Sequence, residues 1–168
     1  SQQYTEWFNV LETTQYLHAR HWMVNEAGER SYLENKKGEH AYTIVSAEDD
    51  TPLGNVGLHN IDQLNGMAMA GIFIGDKAQR GQGYGYEALG LLLWYGFKVL
   101  GLGNIILNYF SYNQRGAKLY AKLGFQPMGT RRKCVFWNGK YHDLVYMDLL
   151  EEELTYTPPK RFLVKLEG

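Results

Sequence analysis

Cysteine is the scarcest feature of this sequence, with one copy in 168 residues. A lone Cys134 excludes an internal disulfide framework and offers none of the spacings of a zinc site. Its place in the strand-like run Lys133–Trp137 predicts a buried structural thiol. An excess of either charge is also missing. Seventeen Lys and Arg face eighteen Asp and Glu, for a net charge of -1, so no basic surface argues for nucleic acid. No apolar run approaches the roughly 18 residues of a membrane span, and the opening Ser-Gln-Gln-Tyr lacks signal-peptide character. The expectation is a cytoplasmic protein with neither nucleic acid nor a membrane as partner. With no repeat, low-complexity segment or linker, the chain fits one domain over residues 1–157, followed by a tail over 158–168.

Glycine and aromatic residues are what the sequence has in quantity. Thirteen tyrosines and four tryptophans suit an aromatic-lined groove or a tightly packed sheet. The most informative stretch is Asp76–Ala88, D-K-A-Q-R-G-Q-G-Y-G-Y-E-A, where Gly81, Gly83 and Gly85 follow Arg80. Glycine permits backbone conformations that other residues resist. A loop of this kind turns its amides inward at a helix start, where unpaired N–H groups and the helix dipole attract anions. The reading is a phosphate-bearing ligand at this loop.

Around the loop, the pattern alternates between the two regular structures. Tyr4–Asn9, Thr13–Tyr16 and His21–Lys37 read as helices, the last ended by Gly38. Ala41–Ser46, Leu53–Asn60 and Met67–Ile74 read as a strand meander, with turns at Glu48–Pro52 and Asp62–Gly66. Leu89, Leu92, Leu93, Phe97 and Leu100 recur at helical spacing over Tyr86–Leu100. Asn104–Tyr112 reads as a strand, and Asn113 as the N-cap of a helix ending at Leu123, with Gly124 behind it. Arg132–Trp137 and Lys140–Leu149 flank Asn138-Gly139, the strongest short hairpin signal. A mixed α/β sheet covered by helices satisfies this order.

Three readings compete for the glycine loop. A P-loop is excluded, because no Gly-Lys-Ser/Thr follows. A dinucleotide fingerprint fits Gly83-x-Gly85-x-x-Ala88 but requires an acidic ribose partner about 20 residues on, and Gly103–Asn108 offers none. The third reading takes in the neighbouring motifs. Arg80-x-x-Gly83-x-Gly85 matches the acetyl-CoA signature R/Q-x-x-G-x-G/A. Asn113 is followed seven residues later by Tyr120, within N-Q-R-G-A-K-L-Y-A-K-L-G-F, and Phe136–Met147 forms a closing hairpin. On these motifs, ordered between about Gly54 and Leu150, the chain resembles the GCN5-related N-acetyltransferase (GNAT) superfamily, within it the RimJ/RimL-like branch.

The resemblance implies a central mixed sheet flanked by helices, with splayed central strands holding acetyl-CoA. It also implies acetyl transfer to a primary amine by direct attack, with no metal. The pyrophosphate would lie on the amides of Gly81, Gln82, Gly83, Tyr84 and Gly85 beside Arg80. The pantetheine would pair with backbone near Phe73 and Ile74, where an N–H could steady the oxyanion, and Asn113 would contact the cofactor from the opposite wall. Tyr120 matches the family's general acid, against the alternative of a helix aromatic packed on the sheet.

The sequence departs from the family at the base. Related enzymes often carry a glutamate two positions before the third strand's glycine, where this chain has Met69. His59 and Glu87 remain as catalytic candidates. His59 reads equally as a satisfied sheet histidine, and Glu87 as a carboxylate favoured by the helix dipole alone. Asp62 reads first as a turn former. Without a strong base, an α-amine with a pKa near ~8 is an easier acceptor than a lysine-like amine near ~10.4. Expected partners are therefore a peptide N-terminus or a small-molecule amine, met by a monomer or homodimer. His18, Arg20, His21, Trp22, Tyr141 and His142 fall in the segments that build the branch's acceptor pocket, where a solvated basic face is the plainer reading. The chain also opens on a helix where the family has a strand. Arg161–Leu166 could cover the sheet edge left vacant. A catalytically weak or inactive acyl-CoA-binding module is the alternative, which Met69 keeps open, and a nucleotide-binding oxidoreductase is the second rival.

Overall fold

The computed structural model describes Trp7, residues 14–17, 40–75 and 77–159. The predicted helices Tyr4–Asn9 (but for Trp7) and His21–Lys37, the basic cluster of His18 to Trp22 and the tail Arg161–Leu166 lie outside the described residues. Six strands form one sheet: β1 (His40–Val45), β2 (Pro52–Asp62), β3 (Met67–Ile74), β4 (Asn104–Phe110), β5 (Gln126–Trp137) and β6 (Lys140–Leu149). They lie in the order β1-β2-β3-β4-β6-β5, and every neighbouring pair is antiparallel except β3 and β4. Two helices, α1 (Tyr84–Lys98) and α2 (Gln114–Leu123), pack on one face. The mixed α/β architecture expected from the sequence is the one observed.

The core lies between that face and the helices. Leu89, Leu92, Leu93 and Phe97 of α1 meet Val56, Leu58, Ala68, Ala70, Ile105 and Leu107, all buried. Strand alternation sends Gly57, His59, Met69, Gly71, Phe73, Asn108 and Phe110 to the opposite face. There a second, smaller cluster joins Phe110, Val135 and Leu144.

Helix ends follow the sequence signals. The Asn113 Oδ1 accepts a hydrogen bond from the Gly116 N–H at 3.0 Å, capping α2. Gly124 closes α2 with φ 104°, and a Cβ there would meet the Glu153 carbonyl oxygen at 2.0 Å, so no other residue fits. Asn138 and Gly139 both have positive φ at the β5–β6 turn, as predicted.

Two expectations are corrected. β5 begins at Gln126, six residues before Arg132, and carries irregularities at Pro127–Gly129 and Arg131–Val135. At the second, Lys133 has φ 49° and its N–H donates to Asp143 Oδ1 at 2.7 Å. Cys134, predicted buried, is half-buried there because the bulge lifts it out of the ladder, and its thiol donates to the Arg131 carbonyl at 3.2 Å.

Candidate active site

The central pair of strands separates. β3 and β4 pair only over Met67–Met69 with Asn104–Ile106. Beyond that point Ala70–Ile74 pairs with β2 alone and Leu107–Phe110 with β6 alone, among the described residues. Parallel strands need a crossover, and α1 supplies it. The glycine loop that opens the crossover therefore sits at the wide end of the split. Phe73 and Ile74 line the β3 edge there.

The loop's shape follows from two glycines. Gly81 and Gly83 have φ 81° and 95°, and a Cβ on either would meet nothing within 4 Å. Both are needed for conformation, not space. Gly83 caps α1 without any side-chain hydrogen bond, and the first intrahelical bond runs from Glu87 N–H to the Gly83 carbonyl. The amides of Tyr84, Gly85 and Tyr86 thus have no carbonyl one turn earlier to bond. Tyr84 packs against the core and Gly85 lies near Ile72 and Leu119. Arg80 is turned inward: its Nε and Nη2 donate to the carbonyls of Ile74 and Gly75 at 3.1 and 3.2 Å, tying the loop to the end of β3. Gln82 is exposed, and its Nε2 donates to the Ala78 carbonyl at 3.1 Å.

Tyr120 stands beside the β4 wall of the split on the helical face. Its ring lies 5.6 Å from Tyr109 and 6.1 Å from Phe125. It is buried, and no described residue hydrogen-bonds its hydroxyl. Burial, reinforced by the neighbouring Tyr109 phenol, pushes its pKa up to about 12. Asn113, at the start of the same helix, spends its Oδ1 on the cap while its Nδ2 donates to no described group.

His59 approaches from the other face. It is half-buried and pairs in register with Met69. Its ring lies over two glycines that face each other across β2 and β3. A Cβ at Gly57 would meet His59 Cε1 at 2.9 Å, and one at Gly71 would meet Nε2 at 3.4 Å. Beyond it, Trp7 lies edge-on to Phe73 and over Gly75. The Tyr112 hydroxyl donates to the Gln15 carbonyl at 2.6 Å.

Glu87 is not brought to this place. It is exposed on α1 beside Tyr156, whose phenol is held above its ordinary pKa first by burial and then by the Glu87 charge. Asp62 accepts from the Asn65 N–H and Nδ2 at 3.0 and 2.7 Å, which holds its carboxyl below the usual range and makes it a turn former. His142 meets Tyr112 edge-on, with ring centroids 4.8 Å apart, and Tyr141 meets Phe136 edge-on at the exposed hairpin. Two open grooves of about 460 and 390 Å³ flank α1 on its outer sides, away from the split and touching neither Tyr120 nor His59. Among the described residues, no group of three or more His, Cys, Asp and Glu could hold a metal, and no helix is long and apolar enough to cross a membrane.

Sequence reasoning missed Asn108. Its Nδ2 lies 4.0 Å from Met69 Sδ across the mouth of the split. An amide inside the apolar strand N-I-I-L-N-Y-F was the available signal.

A sheet that parts at its centre, with a glycine-shaped loop at the wide end and a buried phenol beside it, is the arrangement expected of an acetyltransferase fold. The comparisons agree. Residues 1–126 match the acetyltransferase (GNAT) domain family, and the chain belongs to it. The uncharacterized N-acetyltransferase p20 of Bacillus licheniformis is 30% identical over 151 residues, covering 89% of this chain and 81% of p20. YdaF of Bacillus subtilis (strain 168), provisionally named a ribosomal N-acetyltransferase, is 33% identical over 105 residues, 62% of this chain and 57% of YdaF. The fold matches the spermidine N-acetyltransferase of Vibrio cholerae, solved with CoA and spermine, at a TM-score of 0.78, with 24% identity and 90% of both chains covered. The class is N-acetyltransferase, moving an acetyl group from acetyl-CoA to an amine.

Proposed function

We propose that this chain is an N-acetyltransferase of the RimJ/RimL-like branch, acting on an amine of low pKa such as a protein N-terminal α-amine. The observation that carries the reading is the split between β3 and β4, with Tyr120 on one side and His59 on the other. The residues fit acetyl-CoA. The end of β3 near Phe73 and Ile74, past the last β3–β4 pair, suits an extended amide-bearing chain, and the amides of Tyr84 to Tyr86 suit a pyrophosphate. Arg80 shapes that loop, Asn113 Nδ2 faces the ligand from the far wall, and the unpartnered Tyr120 hydroxyl suits a sulfur atom.

Acetyl-CoA supplies a thioester, whose carbon–sulfur bond breaks as the amine nitrogen takes the acetyl carbon. His59 receives the N–H proton that leaves the nitrogen, directly or through one water. Tyr120 donates a hydrogen bond to the departing sulfur. With its pKa at about 12 against ~8.5 for a free thiol, the phenol keeps its own proton. A histidine base cannot readily deprotonate an amine near ~10.4, which favours α-amines. The reaction belongs to one domain ending near residue 157, in a monomer or homodimer of the cytoplasm.

The test is acetyl-CoA turnover read by mass spectrometry, against peptides with free N-termini, amino sugars and polyamines. Acetylation of α-amines supports the reading. Polyamine-only turnover refutes the acceptor, and tight acetyl-CoA binding without product on any amine supports an inactive acyl-CoA-binding module.

A further inference from the structure

A second phenol stands where the β4 wall of the split meets α2. Tyr109 lies three residues past Ile106, the last β4 residue paired with β3, and its own partner across the ladder is Val145 of β6. Strand alternation sends Ile105, Leu107 and Tyr109 to the helical face. Ile105 and Leu107 are buried in the main core, whereas Tyr109 is half-buried and packs against it. Its ring lies 5.6 Å from that of Tyr120, with the two planes inclined by 49°. Among the described residues, neither hydroxyl makes a hydrogen bond, to the other phenol or to any other group. The Tyr109 phenol is still near enough to add to the burial that raises the Tyr120 pKa.

A buried hydroxyl without a partner costs free energy, and two phenols side by side on one wall of the split can share a single acceptor. The acetyl donor brings a sulfur atom whose accepting power changes during the reaction. In the thioester it is a weak acceptor, like a thioether. As the carbon–sulfur bond breaks, the electron pair stays on sulfur, which leaves as a thiolate. Hydrogen bonds to an ionised acceptor are roughly twice as strong as neutral ones. Donors aimed at the sulfur therefore hold the transition state better than the ground state, and only such a difference lowers the barrier.

We propose that Tyr109 is a second catalytic donor, forming with Tyr120 a two-phenol cradle for the departing sulfur. This rests on the acetyl-transfer function proposed above. Each phenol donates one hydrogen bond and keeps its proton. The proton lost by the amine goes to His59, so the products are the amide, the thiolate and the protonated base. One donor comes from β4 and the other from α2, so the cradle exists only once α2 has packed on the sheet.

The experiment compares wild type, Tyr109→Phe, Tyr120→Phe and the double variant on whichever amine class the wild type acetylates. It reads kcat, and it reads the ionisation of the thiol of enzyme-bound CoA through thiolate absorbance in the ultraviolet as pH is varied. Phenylalanine keeps the ring contacts, and an acetyl-CoA Kd within about twofold of wild type checks the fold. Wild type should ionise bound CoA below the ~8.5 of a free thiol. Tyr109→Phe is expected to lower kcat by roughly tenfold, the scale of one hydrogen bond to a charged acceptor, with KM for the amine unchanged. It should also raise the ionisation of the bound thiol by about one pH unit, and the double variant should raise it further than either single one. A normal kcat in Tyr109→Phe, or a lowered kcat with the thiol ionisation unmoved, overturns the inference and leaves acetyl transfer standing. An active wild type whose bound CoA ionises no lower than free CoA overturns it too, without recourse to any variant. A wild type that acetylates no amine overturns both the function and the inference.

Discussion

Replacing Tyr120 by phenylalanine should make the free protein more stable and the enzyme slower. The hydroxyl is buried with no described hydrogen-bond partner, and an unpaired buried hydroxyl costs about 1–3 kcal/mol. Phenylalanine preserves the ring contacts with Tyr109 and Phe125. Near pH 8, unfolding by denaturant should therefore show Tyr120→Phe stabilised by about 1 kcal/mol. The alkaline side is sharper. The phenol titrates near 10.0 in the unfolded chain and at about 12 in the fold. Its protonated form is the one the fold accepts, so its contribution is fully present below pH 10. As pH rises from 10 to 12 the unfolded state ionises first, and stability falls by a few kcal/mol, since each pH unit of that window costs about 1 kcal/mol. Tyr120→Phe should lack that portion of the alkaline loss, so the two stability curves diverge above pH 10. Other tyrosines titrate in both proteins, and the difference isolates Tyr120. Turnover should fall by roughly tenfold to a hundredfold, with acetyl-CoA affinity little changed. Parallel stability curves between pH 10 and 12, or a clear destabilisation at pH 8, would refute the placement of an unpartnered phenol beside the split.

Two further outcomes test the rest of the site. Gly83→Ala places a side chain at φ 95° with open space around it; the expected cost is about 1–2 kcal/mol of loop strain, read as a lower Tm and a several-fold weaker acetyl-CoA Kd by titration calorimetry. Gly57→Ala pushes against His59 Cε1 at 2.9 Å, and kcat should drop several-fold with acetyl-CoA binding unchanged; a normal kcat would remove His59 from the base role.

Much of this arrangement was legible because its signals are local. Met67–Ile74 and Lys140–Leu149 carry strand-forming residues between clear turns, and both are strands over those spans. Asn113, Gly124 and Asn138-Gly139 each mark a boundary through their own backbone needs. α1 starts at Tyr84 where Tyr86 was expected, since Gly83 adopts the capping conformation and Gly85 is absorbed into the first turn. Pro127 and Gly129 hid the start of β5, because both weaken an interior strand. β5 is the last strand of the sheet, where a missing donor is tolerated. The seat of His59 on Gly57 and Gly71 depends on strand register, which no local pattern contains. Glu87 had the right neighbours in sequence, but the turn of α1 carries its carboxylate toward Tyr156. Asn108 belongs to no motif, and its place beside Met69 follows only from strand register.

That stopping point also governs how the molecule is held together. Three residue pairs join β1–β3 to β4–β6, so the sheet is two plates meeting along a short seam. An acetyl donor seated in the opening, as proposed, would lengthen that seam in the manner of an added strand. By mass action, a ligand at 100 times its Kd adds about 2.7 kcal/mol to the folded state. On the proposed seating, the resistance of this protein to unfolding would rise with the supply of its own acetyl donor.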